Sequence, residues 1–283
     1  MRRHGMRFEC LRMRPHDHIG WVFAGEAGFE ELAGPFLAEG AARGERLMYV
    51  TEAPRRATAA RLRDRYGSRV IKIAGIADVY GESGIVDPVV QRATFADALA
   101  DALAAGFSGI RVAADNTPLV TDETRLAAWI RWEHAADRFM ADNPVTGLCA
   151  FDGQRVDVNQ LRHLSTLHPL SASADPEPQF RMYSDDGSLC LEGHVDSFTV
   201  AQLPIALEVL PRGTSVLIDL SVATLMSRVP LNGLRRLADG GIPVTIRGER
   251  KALDTLARDG LRPGGRLRVE VASSEDPTEP EIA

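Results

Sequence analysis

Imidazole, thiol, carboxylate and indole are the side chains of this 283-residue sequence that point to binding chemistry. His16, His18, His163 and His168, together with Cys149, offer the nitrogen and sulfur atoms that transition metals favour. Their spacing matches no recognised metal motif. The competing reading is that each imidazole is singly hydrogen-bonded and that Cys149, inside an apolar run, is a buried small hydrophobe. The sequence therefore assigns no metal and no cofactor. The carboxylates point instead to a small-molecule pocket. Glu52, Asp115-Asn116 and Asp152 each follow a strand-like run, and in open parallel sheets ligands bind beyond the carboxyl ends of strands. His18 and Trp21, in or beside the first apolar run, are expected near that edge. Trp129 and Glu133 lie one helical turn apart and share a face. The alternative is local: such acidic residues cap helices, and Asp152-Gly makes a good turn.

Other chemistries lack their residues. A phosphate-binding loop needs GxxxxGK[ST] directly after a strand. After Phe23 the chain reads Ala-Gly-Glu-Ala-Gly-Phe-Glu-Glu, with no lysine or hydroxyl in place and acidic groups that repel phosphate. There is no GxSxG and no HExxH. The expectation is a protein that is not an enzyme.

The elements that would position these residues alternate. Residues 19–23, 47–50, 70–73, 109–114 and 146–151 read as strands. Residues 28–42, 54–66, 89–105, 121–140 and 156–167 read as helices. Thr121 or Asp122 suits an N-cap, Gly106 a helix end, and Pro35 should kink or break its helix. Strands separated by such helices imply a mostly parallel sheet. Residues 171–178 are a linker by composition. Beyond them, residues 180–184 and 189–192 flank Asp185-Asp-Gly-Ser, a hairpin signal. Helix 197–210, strand 215–220, helix 231–239, strand 243–247, helix 251–258 and strand 266–271 follow. The tail, 273–283, is expected to be disordered.

The chain is 45% hydrophobic and 25% charged, ordinary for a globular protein, and its net charge of −6 argues against nonspecific nucleic-acid binding. Cys10, Cys149 and Cys190 are odd in number and far apart, which fits a reducing cytoplasm rather than a disulfide framework. No apolar run is long enough to span a bilayer, so neither membrane nor nucleic acid is an expected partner.

Asp219-Leu-Ser, Leu191-Glu-Gly-His-Val-Asp196, Gly240-Gly-Ile-Pro-Val and Gly260-Leu261 resemble, in order and spacing, segments of the STAS domain of bacterial anti-sigma-factor antagonists. That family carries an Asp, a phosphorylated Ser and a Gly where this chain has Ser227, Arg228 and Pro230. The resemblance implies an α/β domain that docks an anti-sigma factor, or another STAS-containing protein, through Ser227, Arg228, Val229 and Asn232. With Arg228 in the acceptor position, no phosphorylation is expected there. Ser227 reads as a helix cap, with a shifted phosphosite as the alternative.

His18, Pro35-Phe-Leu-Ala-Glu-Gly-Ala-Ala-Arg-Gly-Glu45, Gly109-Ile-Arg-Val-Ala-Ala-Asp115, Glu133, Leu148-Cys-Ala-Phe-Asp152 and His168-Pro169 resemble the MEDS domain, the sensory domain of methanogen and methylotroph regulators. This implies a RecA/KaiC-like parallel-sheet domain, here without a P-loop, that senses a small ligand, and it adds His168 to the ligand-binding candidates. The expected organisation is a sensory domain at 1–170, a linker at 171–178, a smaller STAS-like domain at 179–272 and a tail at 273–283. The expected function is cytoplasmic signalling and transcription regulation. A non-switching scaffold or dimerisation protein is the alternative, a RecA-like nucleotide-binding enzyme a more distant one, and a homo-oligomer is left open.

Overall fold

The computed structural model of the chain describes residues 2–7, 11–172, 178–225 and 228–272. Cys10, linker residues 173–177, Ser227 and the tail 273–283 lie outside the described residues.

The apolar runs of the first unit form seven strands: β1 (Gly5–Arg7), β2 (His18–Phe23), β3 (Arg46–Thr51), β4 (Ile71–Gly75), β5 (Ile110–Asp115), β6 (Val145–Asp152) and β7 (Leu170–Ala172). They build one sheet in the order β1-β7-β2-β6-β5-β3-β4, with every pair parallel. The helices are α1 (Gly25–Ala42), α2 (Arg56–Tyr66), α3 (Ile76–Tyr80), α4 (Pro88–Ala104), α5 (Glu123–Asp142) and α6 (Val158–Ser165). They cover both faces, as a parallel sheet requires. One apolar core packs α1 and α2 against Ile19, Tyr49, Ala113, Leu148 and Ala150. The other packs α3 to α6 against Val112, Ala114, Cys149 and Phe151. Adjacent strand residues thus alternate between the two cores, the period-two pattern of a pleated strand.

The second unit is a five-stranded sheet in the order β12-β11-β10-β9-β8. Its strands are β8 (Phe180–Asp185), β9 (Ser188–Val195), β10 (Ser215–Leu225), β11 (Val244–Gly248) and β12 (Leu267–Val271). Its helices are α7 (Ser197–Val209), α8 (Arg228–Asp239) and α9 (Arg250–Arg258). The expected hairpin is present: β8 and β9 pair antiparallel across Asp186 and Gly187, both at positive φ. The remaining pairs are parallel. Asp196 caps α7 by accepting from the Thr199 N–H at 2.8 Å.

Several expectations change. α1 runs unbroken through Pro35, because the proline ring sits on the solvent side, where water can serve the carbonyl left without its donor. Ser171 and Ala172, expected in the linker, end β7, which pairs with β1 and β2. β1, β7 and α3 were not anticipated; each is too short to show a period. β10 runs to Leu225, so Asp219-Leu-Ser lies inside a strand, and α8 begins at Arg228 rather than at 231, which puts Arg228 and Val229 on the helix with Asn232.

The two units pack together. Arg131 on α5 meets Glu208 on α7 at 3.3 Å. Six residues further along α5, the Ser184 N–H of β8 donates to Asp137 at 2.6 Å. Among the described residues no helix is long and apolar enough to cross a membrane.

Candidate functional site

α5 is capped by Asp122, which accepts from the Arg125 N–H, and it turns one stripe to the sheet. Trp129, Glu133, Asp137 and Met140 fall on that stripe at helical spacing, and all four are buried. Beneath it lie β2 and β6, paired so that His18 stands opposite Gly147 and Gly20 opposite Cys149. The turn after α6 lays His168 over Gly20. A Cβ at residue 20 would come 2.7 Å from His168 Nδ1, so only glycine admits the ring there.

This brings four fully or nearly fully buried residues, His18, Glu133, Cys149 and His168, into one cluster whose ligand atoms all lie within 4.8 Å of one another. His18 Nε2 is 3.4 Å from Cys149 Sγ and 3.3 Å from Glu133 Oε2. His168 Nε2 is 3.4 Å from Glu133 Oε1. Cys149 Sγ is 3.9 Å from Glu133 Oε2. The two imidazole centroids are 4.4 Å apart.

The opposite ring nitrogens fix the tautomers. His168 Nδ1 is 2.9 Å from the Leu164 carbonyl, and His18 Nδ1 is 3.1 Å from Asp137 Oδ1. A carbonyl and an ionised carboxylate only accept, so both Nδ1 atoms donate and both Nε2 atoms face the cluster. Neither His168 Nε2 nor Glu133 Oε1 makes a hydrogen bond among the described residues.

The electrostatics follow from this crowding. Burial favours neutral histidine, yet the attraction of Cys149 and hydrogen bonds to Asp137 and Glu133 raise His18 well above its ordinary pKa. Burial opposes charge on His168 as well, and Glu133 outweighs it, pushing that pKa up to about 9. Burial would raise Glu133, but His168 and His18 hold it far below the usual carboxylate range. Asp137 is likewise lowered, against burial, by Arg2 and His18. His134, next in sequence but desolvated, falls to about 4. The cluster attracts positive charge, and its neighbour on the same helix does not.

Asp137 joins the cluster to the second unit. It holds His18, the Ser184 N–H and Arg2 Nη1, the last at 2.6 Å. Arg2 also donates to the Ser184 carbonyl at 3.1 Å, and its backbone N–H reaches Asp185 at 3.1 Å.

The expected ligand edge is a different place. β2 has His18 at its amino end, and five strand steps, about 16 Å, separate it from Phe23. The pocket residues therefore split. Asp152 accepts from the Gly25 N–H at 3.2 Å and the Gln154 N–H at 2.9 Å, capping α1 and its own turn. Asp115 accepts from the Thr117 N–H, and burial raises its pKa. Asn116 is fully buried beside them, its amide without a hydrogen-bond partner among the described residues. Glu52 pairs with Arg155 at 3.1 Å on the surface. Trp21 points to the opposite face from His18, with the α1 core. Trp129 packs on Phe151 and Tyr80 one turn above Glu133.

Of the metal-type residues, His18, Cys149 and His168 converge. His16 bonds the Met140 carbonyl and His163 packs on Phe198. The reading of each imidazole as separate is corrected for His18 and His168. Cys149 is buried as expected, but its sulfur faces polar atoms. Asp137 and Arg2 were missed; for Asp137 the available signal was its place four residues after Glu133.

Residues 17–169, more than half of the chain, match the family model described as the MEthanogen/methylotroph, DcmR Sensory domain, MEDS. The match includes all four cluster residues. No curated protein matches the chain.

Proposed function

Because this chain belongs to the MEDS family of sensory domains, we propose that it is a signalling protein in which a small ligand at the His18 cluster changes the state of the second unit. The mechanism is population shift: a ligand moves an equilibrium by as much as it prefers one state over the other. One observation carries this reading: Asp137 hydrogen-bonds the buried His18 on one side and the β8 backbone at Ser184 on the other. A change at His18 cannot leave Asp137 indifferent, and Asp137 is one of the points where the second sheet is fastened to the first unit.

The second unit is the output. Its resemblance to STAS domains supports docking to an anti-sigma factor or another STAS-containing protein, and so a role in transcription regulation in the cytoplasm. Arg228 is 73% exposed at the start of α8, 3.9 Å from Asp259, and Asn232 is exposed on the same helix. An arginine takes no phosphate, so output follows the ligand rather than a kinase. Catalysis on nucleotides is not part of this reading. Ala24 alone separates β2 from α1, and the Asp152 carboxylate bonds the Gly25 N–H, where a P-loop would hold phosphate.

The test is hydrogen exchange on the full chain with metabolites and metal ions that raise its melting temperature. A ligand should alter exchange at residues 180–185 in the wild type, and Asp137→Asn should still bind it without that change. A ligand whose effect stays within residues 17–169 would defeat the proposal.

A further inference from the structure

The four buried side chains share one chemical property: apart from protons, each presents only an electron pair to the others. Glu133 offers carboxylate oxygens, Cys149 offers sulfur, and the Nδ1 bonds of His18 and His168 turn both Nε2 atoms inward. Four such groups converging in a core must share either protons or a metal cation. We propose that His18 Nε2, His168 Nε2, Cys149 Sγ and one Glu133 carboxylate oxygen bind a divalent transition-metal ion, zinc or a close chemical relative.

The distances fit. With metal–nitrogen and metal–oxygen bonds near 2.0–2.1 Å and metal–sulfur near 2.3 Å, a tetrahedron sets N–O and N–S separations of about 3.4 and 3.6 Å. The cluster has 3.3 Å from His18 Nε2 to Glu133 Oε2, 3.4 Å from His168 Nε2 to Glu133 Oε1 and 3.4 Å from His18 Nε2 to Cys149 Sγ, so the carboxylate must turn to present one oxygen to both imidazoles. The 3.9 Å from Cys149 to Glu133 needs a shift of a few tenths of an ångström. Histidine, thiolate and carboxylate together select zinc-type ions over magnesium or calcium, which demand oxygen.

The surrounding atoms fit too. Ligating histidines characteristically give their second N–H to a carboxylate or a carbonyl, and here His18 gives it to Asp137 and His168 to Leu164. Charge balances: a divalent ion offsets the Cys149 thiolate, whose proton leaves to solvent, and the Glu133 carboxylate, while Arg2 offsets Asp137.

This deepens the sensory reading by naming its ligand class and rests on that reading only in using the same cluster. Its test needs no signalling readout, so the two fail separately. The full chain, freed of metal by a chelator, is loaded with cobalt(II) as a spectroscopic stand-in and, in parallel, with zinc. The expected result is one ion per chain by elemental analysis. Cobalt should give tetrahedral visible bands and a near-ultraviolet thiolate-to-cobalt band. Cys149→Ser should lose the thiolate band, and Cys190→Ser, at a buried thiol outside the cluster, should keep it. The wild-type spectrum decides even if Cys149→Ser does not fold. Substoichiometric uptake of both ions, cobalt binding without a thiolate band, or a band that survives Cys149→Ser each overturns the proposal.

Discussion

Two nests of buried charge lie on opposite faces of the same sheet, and they are built on different principles. On the α1 face, Arg111 of β5 donates to Glu45, to the Phe36 carbonyl at 3.2 Å, to Glu39 at 3.3 Å and to the Met13 carbonyl at 3.0 Å. Its guanidinium stacks 4.7 Å from the Phe36 ring centroid. Gly40 makes the space: a Cβ there would come 2.5 Å from Arg111 Cδ. Each of the three guanidinium nitrogens has an acceptor within the chain. On the α5 face, His18, Glu133, Cys149 and His168 are as deeply buried, but two of their polar atoms, His168 Nε2 and Glu133 Oε1, lack a hydrogen bond among the described residues. A buried polar group whose complement is in the chain holds the fold together. One whose complement is missing looks outward for it, since an unsatisfied buried group costs about 1–3 kcal/mol.

The sharpest way to break this contrast is Arg111→Ala. It leaves Glu45, 2% exposed, as an unpaired buried charge. Urea denaturation should register a loss of roughly 3–5 kcal/mol, while protein that still folds keeps its cobalt spectrum. A loss too small to measure would mean that the Arg111 nest is not structural.

Metal removal acts on the other face. Metal-free wild type should gain about 2.7 kcal/mol of stability when zinc is supplied at a hundredfold excess over its dissociation constant. Arg111→Ala should retain that gain and His168→Ala should lose it, as thermal melts with and without zinc would reveal. Equal gains in both variants would erase the distinction between the nests.

Asp137→Asn tests the strut between cluster and second unit. The amide oxygen can still accept from Ser184, but Arg2 loses its charged partner. The expected cost is about 1–2 kcal/mol, with faster hydrogen exchange in residues 180–185 than in β10. Uniform acceleration across the second sheet would show that Asp137 is no local fastening.

The smallest stability effect belongs to the surface. Arg228→Glu, at a 73% exposed side chain with a partner 3.9 Å away, should change stability by no more than about 0.5 kcal/mol. Binding to an anti-sigma factor recovered by pull-down should nevertheless weaken by on the order of 2 kcal/mol if Arg228 meets a carboxylate of that partner that is buried in the complex. Unchanged affinity would favour the scaffold reading of the second unit.

Residue order and local chemistry made the element list legible. The strand–helix alternation, the hairpin at Asp186-Gly187, the Asp122 cap and the break at Gly106 follow from period, turn residues and capping groups within a few neighbours. The family segments proved to have physical partners: Glu39, Gly40 and Glu45 from one and Arg111 from another form a single nest. Local reasoning failed at Pro35, whose solvent-facing position only packing sets, and at β1 and β7, whose pairing decides their existence. The candidate site was legible as three residues, His18, Glu133 and His168, but not as a site. His18 and Cys149 are 131 positions apart and meet because β2 pairs with β6. Period two says that alternate residues share a face, and so already separates Trp21 from His18; it does not say which strands are neighbours or which helix covers them. Those choices belong to the burial of two apolar cores, one on each side of the sheet. That packing brought Cys149, Glu133 and His168 to His18.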